Sequence, residues 1–193
     1  MFSLKELIIF CIITTYSPGP NTLLSMICGM RHGFKKSLSF LSGIYLGFIS
    51  LNVIVIFLSN IIRDLLPQFD NILKIVGVVY LIYLAYKISF SKKKSVDQNR
   101  TFSFKDGFLL QFLNVKVMIY SLTASGAYVL PYFSNPFMLI GFAILMASVP
   151  MIANLLWNIC GGLLKNVYDR YQKYINLIFS IGLLYAAFKI AMS

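Results

Sequence analysis

The chain has 193 residues, of which 59% are hydrophobic and only 12% charged, with a formal net charge of +11 and a mean hydropathy of +0.79. Soluble domains carry about 25% charged residues, so this composition excludes a water-soluble enzyme or binding domain and points to a polytopic membrane protein. The bases lie in short stretches between apolar runs, where they set topology rather than hold nucleic acid.

The first apolar run covers about Leu7–Met30. Lys5 is balanced by Glu6 and no small-x-small cleavage signal follows, so the run reads as a retained span and not a signal peptide. In its middle stands IITTYSPGPNTLL, residues 12–24. Pro18 and Pro20 cannot donate the hydrogen bonds that the carbonyls of Thr14 and Tyr16 would accept, and each interior proline costs about 3 kcal/mol. Gly19 adds roughly 1 kcal/mol. Unwound backbone is tolerated at membrane depth only where protein buries it or water reaches it, so the break predicts a polar cavity there. Ser17 can cap a new helical start with a proline in its first turn. The half-helix from Asn21 would then aim its positive dipole end at the cavity, an end suited to a carboxylate. The freed carbonyls of Thr14 and Tyr16 suit an ammonium. A proline kink used only for packing is the plainer alternative.

The second run, about Leu38–Ser59, contains Asn52 and the small-xxx-small pair Gly43 and Gly47, which predicts close internal helix packing. IIRDLLPQFD, residues 61–70, is too short to span. A third run follows at about Ile72–Ser91, then a basic loop, 92–106. The fourth run, about Gly107–Leu130, carries Gln111, Asn114 and Lys116. Lys116 lies roughly 13 Å along a helix from Gly107. A lysine at such depth costs about 2.5–3.5 kcal/mol and usually faces a cavity or a partner; snorkelling to the headgroups is the alternative. The fifth run, about Pro136–Leu164, places Asn154 and Asn158 on one face after Pro150, either lining the cavity or bridging helices. The sixth is about Tyr174–Met192.

The fold expected is therefore all-α, with six transmembrane helices, a broken first helix and a polar fourth. The loops after the first, third and fifth spans hold twelve bases against four on the other face, which puts those loops in the cytoplasm and both termini outside. Three spans on each side of the central loop predict an inverted 3+3 repeat, halves about 1–91 and 107–193, within a single domain, 1–193. Such repeats place the substrate site at the midplane, where broken helices meet.

Cys11, Cys28 and Cys160 have no Cys-x-x-Cys spacing and read as small buried hydrophobes. His32 sits in a basic loop and reads as solvated. No acid falls well inside a run, and neither nucleophile–base pairs nor metal-ligand clusters occur. No catalytic residue, cofactor or metal is expected, and an enzyme is not.

SPGPNTLLSMICGMRHGFKKS with GIYLGF, and FLLQFLNVKVMIY further on, resemble the LysE/RhtB amino-acid exporter family. Its first span carries Pro-Gly-Pro and its fourth Asn-Pro-Lys, with Val115 here in place of the second proline. Within it the chain is similar to the bacterial cysteine/O-acetylserine efflux branch, which shares Asn after Pro-Gly-Pro and Asn-Val-Lys. The resemblance covers nearly the whole chain and matches Pro18, Gly19, Pro20, Asn114 and Lys116. It implies export of small neutral amino acids across the bacterial inner membrane, driven by the proton gradient, with homo-oligomerisation left open. One departure matters: many members carry an acid where this chain has Asn21. The expected substrate-binding set is Thr14, Tyr16, Ser17, Pro18, Gly19, Pro20, Asn21, Gln111, Asn114, Lys116, Asn154 and Asn158. Export of threonine, homoserine or another small metabolite, and an uncoupled channel, remain alternatives.

Overall fold

The computed structural model describes residues 3–16, 19–58 and 102–192, with positions 75, 78–79, 81–83, 85–86 and 88–89 between them. Ser17, Pro18, the 61–70 segment and the central loop up to residue 101 lie outside the described residues, as does most of the expected third span, whose described positions are all helical. The described helices are α1 (Leu4–Tyr16), α2 (Pro20–Phe57), α3 (Phe104–Leu113), α4 (Val115–Thr123), α5 (Pro136–Leu163) and α6 (Lys165–Ala191). A π-helical turn, Ala124–Val129, extends α4.

The break in the first span is present. α1 ends at Tyr16, Gly19 is extended (φ −163°, ψ 179°), and α2 starts at Pro20. The cap differs from the sequence expectation: Gly19, not Ser17, is the N-cap. Its N–H donates to Thr22 Oγ1 at 3.0 Å, and that hydroxyl donates back to the Gly19 carbonyl. Thr22 thus supplies the cap from inside the helix.

As a straight rod, the 38 residues of α2 would reach about 57 Å, nearly twice a hydrocarbon core. Gly33, at φ 74° and ψ 172°, interrupts it. Its neighbours show that the chain reverses there. Before Gly33, Ser25 meets Asn154 and Gly29 meets Asn158, so the two helices run parallel. After it, Tyr45 meets Ser148 and Asn52 meets Ala143, so they run antiparallel. Residues 20–30 therefore complete the span begun by α1, and the helix after Gly33 forms the next, with Arg31 and His32 at the turn between them. With α5 long and apolar enough to cross a bilayer, and α3 with α4 forming another span, the protein is a multi-pass membrane bundle.

The fourth run is not the continuous helix expected. α3 and α4 with its π turn meet at a 65° bend. Asn114 is the joint, extended at φ −96° and ψ 96°, with its carbonyl accepting from Val117 and Met118 N–H to start α4. The sixth helix also starts earlier than Tyr174, at Lys165, and kinks at Tyr171; its polar first turns lie beyond the apolar run that hydropathy detects.

Glycines let the spans touch backbone to backbone. A Cβ on Gly43 would strike the Phe104 carbonyl, and one on Gly161 the Met26 carbonyl, so the Gly43–Gly47 pair serves internal packing. Polarity is inverted relative to a soluble protein: Asn52, Gln111, Asn154 and Asn158 are buried, while Ile9, Ile13, Ile119, Phe137 and Ile152 are exposed on the outside. Cys11 and Cys28 are buried as expected, but Cys160 is exposed. It lies on the outer face of α5, away from Asn158 and Gly161, which turn inward.

Candidate functional site

The two broken spans run antiparallel and cross at their breaks. Asn21, in the first turn of α2, donates from Nδ2 to Gln111 Oε1 at 2.7 Å. Asn114 Nδ2 donates to Asn21 Oδ1 at 3.1 Å. On the other side of the crossing, Tyr120 donates to the Met146 carbonyl at 2.7 Å, and its hydroxyl oxygen lies 3.0 Å from Cys11 Sγ. Phe10 stacks on the Tyr120 ring at 5.8 Å. The same two chain segments therefore meet twice, once through amides and once through aromatics.

Between these contacts lies a cavity whose empty space, including the part open to solvent, is about 370 Å³. Its walls include Thr14, Thr15, Gly19, Pro20, Asn21, Thr22, Phe48, Asn114, Lys116, Tyr120, Pro150 and Asn154. Lys116 points at the break: its Nζ lies 3.2 Å, and its Cδ 3.3 Å, from where a Cβ on Gly19 would stand. Among the described lining residues it is the one charged side chain, and no carboxylate faces it across the cavity. Helix ends supply the remaining polarity. The last carbonyls of α1 and first N–H groups of α2 lack intrahelical partners, and their partial charges are of opposite sign.

The structure thus gathers Thr14, Gly19, Pro20, Asn21, Asn114, Lys116 and Asn154 around one space. The backbone of Tyr16 ends α1, and its side chain lies outside the described residues. Two expected residues fall outside the cavity's described lining. Gln111 lies behind Asn21, its Nε2 donating to the Gly107 carbonyl at 2.9 Å. Asn158 is fully buried one turn beyond Asn154 and donates to the Ser25 carbonyl at 2.8 Å, so of the two fifth-span amides one lines the cavity and the other bridges helices. Asn52 is a bridge as well, donating to the Ala143 carbonyl and accepting from Ser121. The expected set lacked Thr15, Thr22, Phe48, Val117, Tyr120 and Pro150. The two threonines flank the break and could have been found by their position, whereas Phe48 is indistinguishable from a core aromatic.

Residues 12–193 match the LysE type translocator family. The chain belongs to that family. Among relatives, the cysteine/O-acetylserine efflux proteins of Escherichia coli strain K12 and of Escherichia coli O157:H7 are each 31% identical to it over 182 residues, 94% of this chain and 93% of theirs. No solved structure matches the chain. As a LysE type translocator it is a transporter and not an enzyme. Among the described residues no group of His, Cys, Asp and Glu side chains could hold a metal ion.

Proposed function

We propose that this translocator exports small neutral amino acids resembling cysteine and O-acetylserine from the cytoplasm, coupled to the proton gradient. The observation that carries the reading is the approach of Lys116 Nζ to the break at Gly19 inside a small cavity. An amino acid presents one anion and one cation a few ångströms apart. The carboxylate lies between Lys116 and the positive end of α2 at Asn21, while the ammonium faces the carbonyls at the end of α1, near Thr14 and Tyr16. Thr22 and Asn154 suit a short polar side chain, and a long cationic one would find no acid among the described lining residues. The names of the Escherichia coli relatives support the same substrate class. Six spans in inverted halves, with the loops after spans one, three and five in the cytoplasm, complete the proposal.

Counterflow in proteoliposomes, with cysteine, O-acetylserine and threonine as competitors, tests it. Competition by the first two is expected, and exchange of none of them overturns the reading. A second reading, an uncoupled facilitator, is favoured by one observation: Asn21 and Lys116 leave the described lining without a carboxylate to carry a proton. Collapsing the proton gradient separates the two, because uphill export stops in an antiporter while downhill flux continues in a facilitator.

A further inference from the structure

Two buried side-chain atoms have no hydrogen-bond partner among the described residues, Asn114 Oδ1 and Asn158 Oδ1. Asn158 lies outside the cavity, against Ser25. Asn114 lines it and is only 4% exposed. Its position at the N-cap of α4 would let Oδ1 accept from the helix's first N–H groups, as asparagine caps commonly do. That bond is not made.

The orientation of the Asn114 amide follows from its neighbours. The Gly107 carbonyl can only accept, so the Gln111 group facing it at 2.9 Å is the NH2. Gln111 Oε1 then faces Asn21, which must donate through Nδ2 at 2.7 Å. Asn21 Oδ1 is thereby turned to Asn114, which donates through its own Nδ2 at 3.1 Å. The relay leaves a carbonyl, not an NH2, as the unspent end of Asn114. A buried carbonyl kept from capping and fixed by three other groups calls for a donor.

We infer that Asn114 Oδ1 is the acceptor that reads the substrate's ammonium group, held in that orientation by the Gly107–Gln111–Asn21 relay. The inference rests on the amino-acid reading above and adds the group that selects for a free amine. Lys116, two residues on, pairs with the carboxylate. A zwitterion engages both groups, whereas a carboxylate without an amine engages Lys116 alone. Gln111 is a positioning residue, since it lies behind Asn21 and outside the cavity lining.

The test uses purified full-length protein and two probes, cysteine and 3-mercaptopropionate, which is cysteine without its amine. Affinities are read from the ligand-induced rise in melting temperature. In the wild type, cysteine is expected to bind at least about tenfold more tightly, the scale of one hydrogen bond to a charged group. Asn114→Leu should weaken cysteine by about that factor and leave 3-mercaptopropionate unchanged. Asn114→Asp, close to isosteric, should keep cysteine while weakening 3-mercaptopropionate about tenfold, and it decides the matter if the leucine variant does not fold. Gln111→Leu should reduce the preference in part, through cysteine alone. An unchanged preference, or equal changes for both probes in the Asn114 variants, overturns the acceptor role alone. A wild-type protein that binds neither probe overturns the amino-acid reading and this inference with it.

Discussion

Gly19 is extended at φ −163°, a conformation open to any residue, so glycine is needed there for space and not for torsion. The space is taken by Lys116, whose end atoms would lie 3.2–3.3 Å from an added Cβ. The two anomalies of the sequence, a glycine between prolines and a lysine deep in an apolar run, are thereby explained by each other. Gly19→Ala should displace the ammonium by a few tenths of an ångström while leaving the cap made by Thr22 intact. Transport should fall about tenfold in proteoliposomes with little change in melting temperature; a large loss of stability would show that the glycine serves the fold instead. The amides teach a complementary lesson. Asn154 and Asn158 share a helix face, and sequence can state that much. Which neighbour each meets depends on where Ser25 arrives from a segment more than a hundred residues away, and no local pattern carries that information.

Among the elements, the break in the first span was legible because two prolines and a glycine leave a helix few options. The bend in the fourth was not. The residue at the joint is asparagine, and the following valine stands where the family pattern has proline, so no backbone breaker announces it. The reversal at Gly33 was legible only as a basic stretch between apolar runs. Close glycine contacts hold the resulting spans together. At Gly43 an added side chain meets the backbone of α3, which cannot swing aside. Gly43→Val should therefore destabilise the protein by about 1–3 kcal/mol, seen as a lower melting temperature in detergent. At the reversal, His32 was expected to be solvated but is half-buried. Burial lowers its pKa first, and the charges of Arg31, Lys36 and Lys165 lower it further. The folded state thus binds a proton less readily than the unfolded chain, and stability is lost as pH falls below about 6.5. His32→Gln should flatten that acid limb in a melting-temperature series; an unchanged pH profile would show that the imidazole is not the group responsible.

For the whole molecule, composition alone separated the inside from the outside, because a bundle in lipid exposes its apolar residues and hides its amides. Family membership was also readable, since the two motifs survive at matching distances along the chain. What composition could not show is that the two broken spans run antiparallel and cross, which turns two separate interruptions into one cavity. The convergence of the Pro-Gly-Pro break and Lys116 on that cavity is the central claim about function. Its most direct test is cysteine counterflow by Lys116→Met in proteoliposomes containing verified amounts of inserted protein. The rate should drop at least about tenfold, the loss of one charged pairing, and exchange at the wild-type rate would contradict the claim.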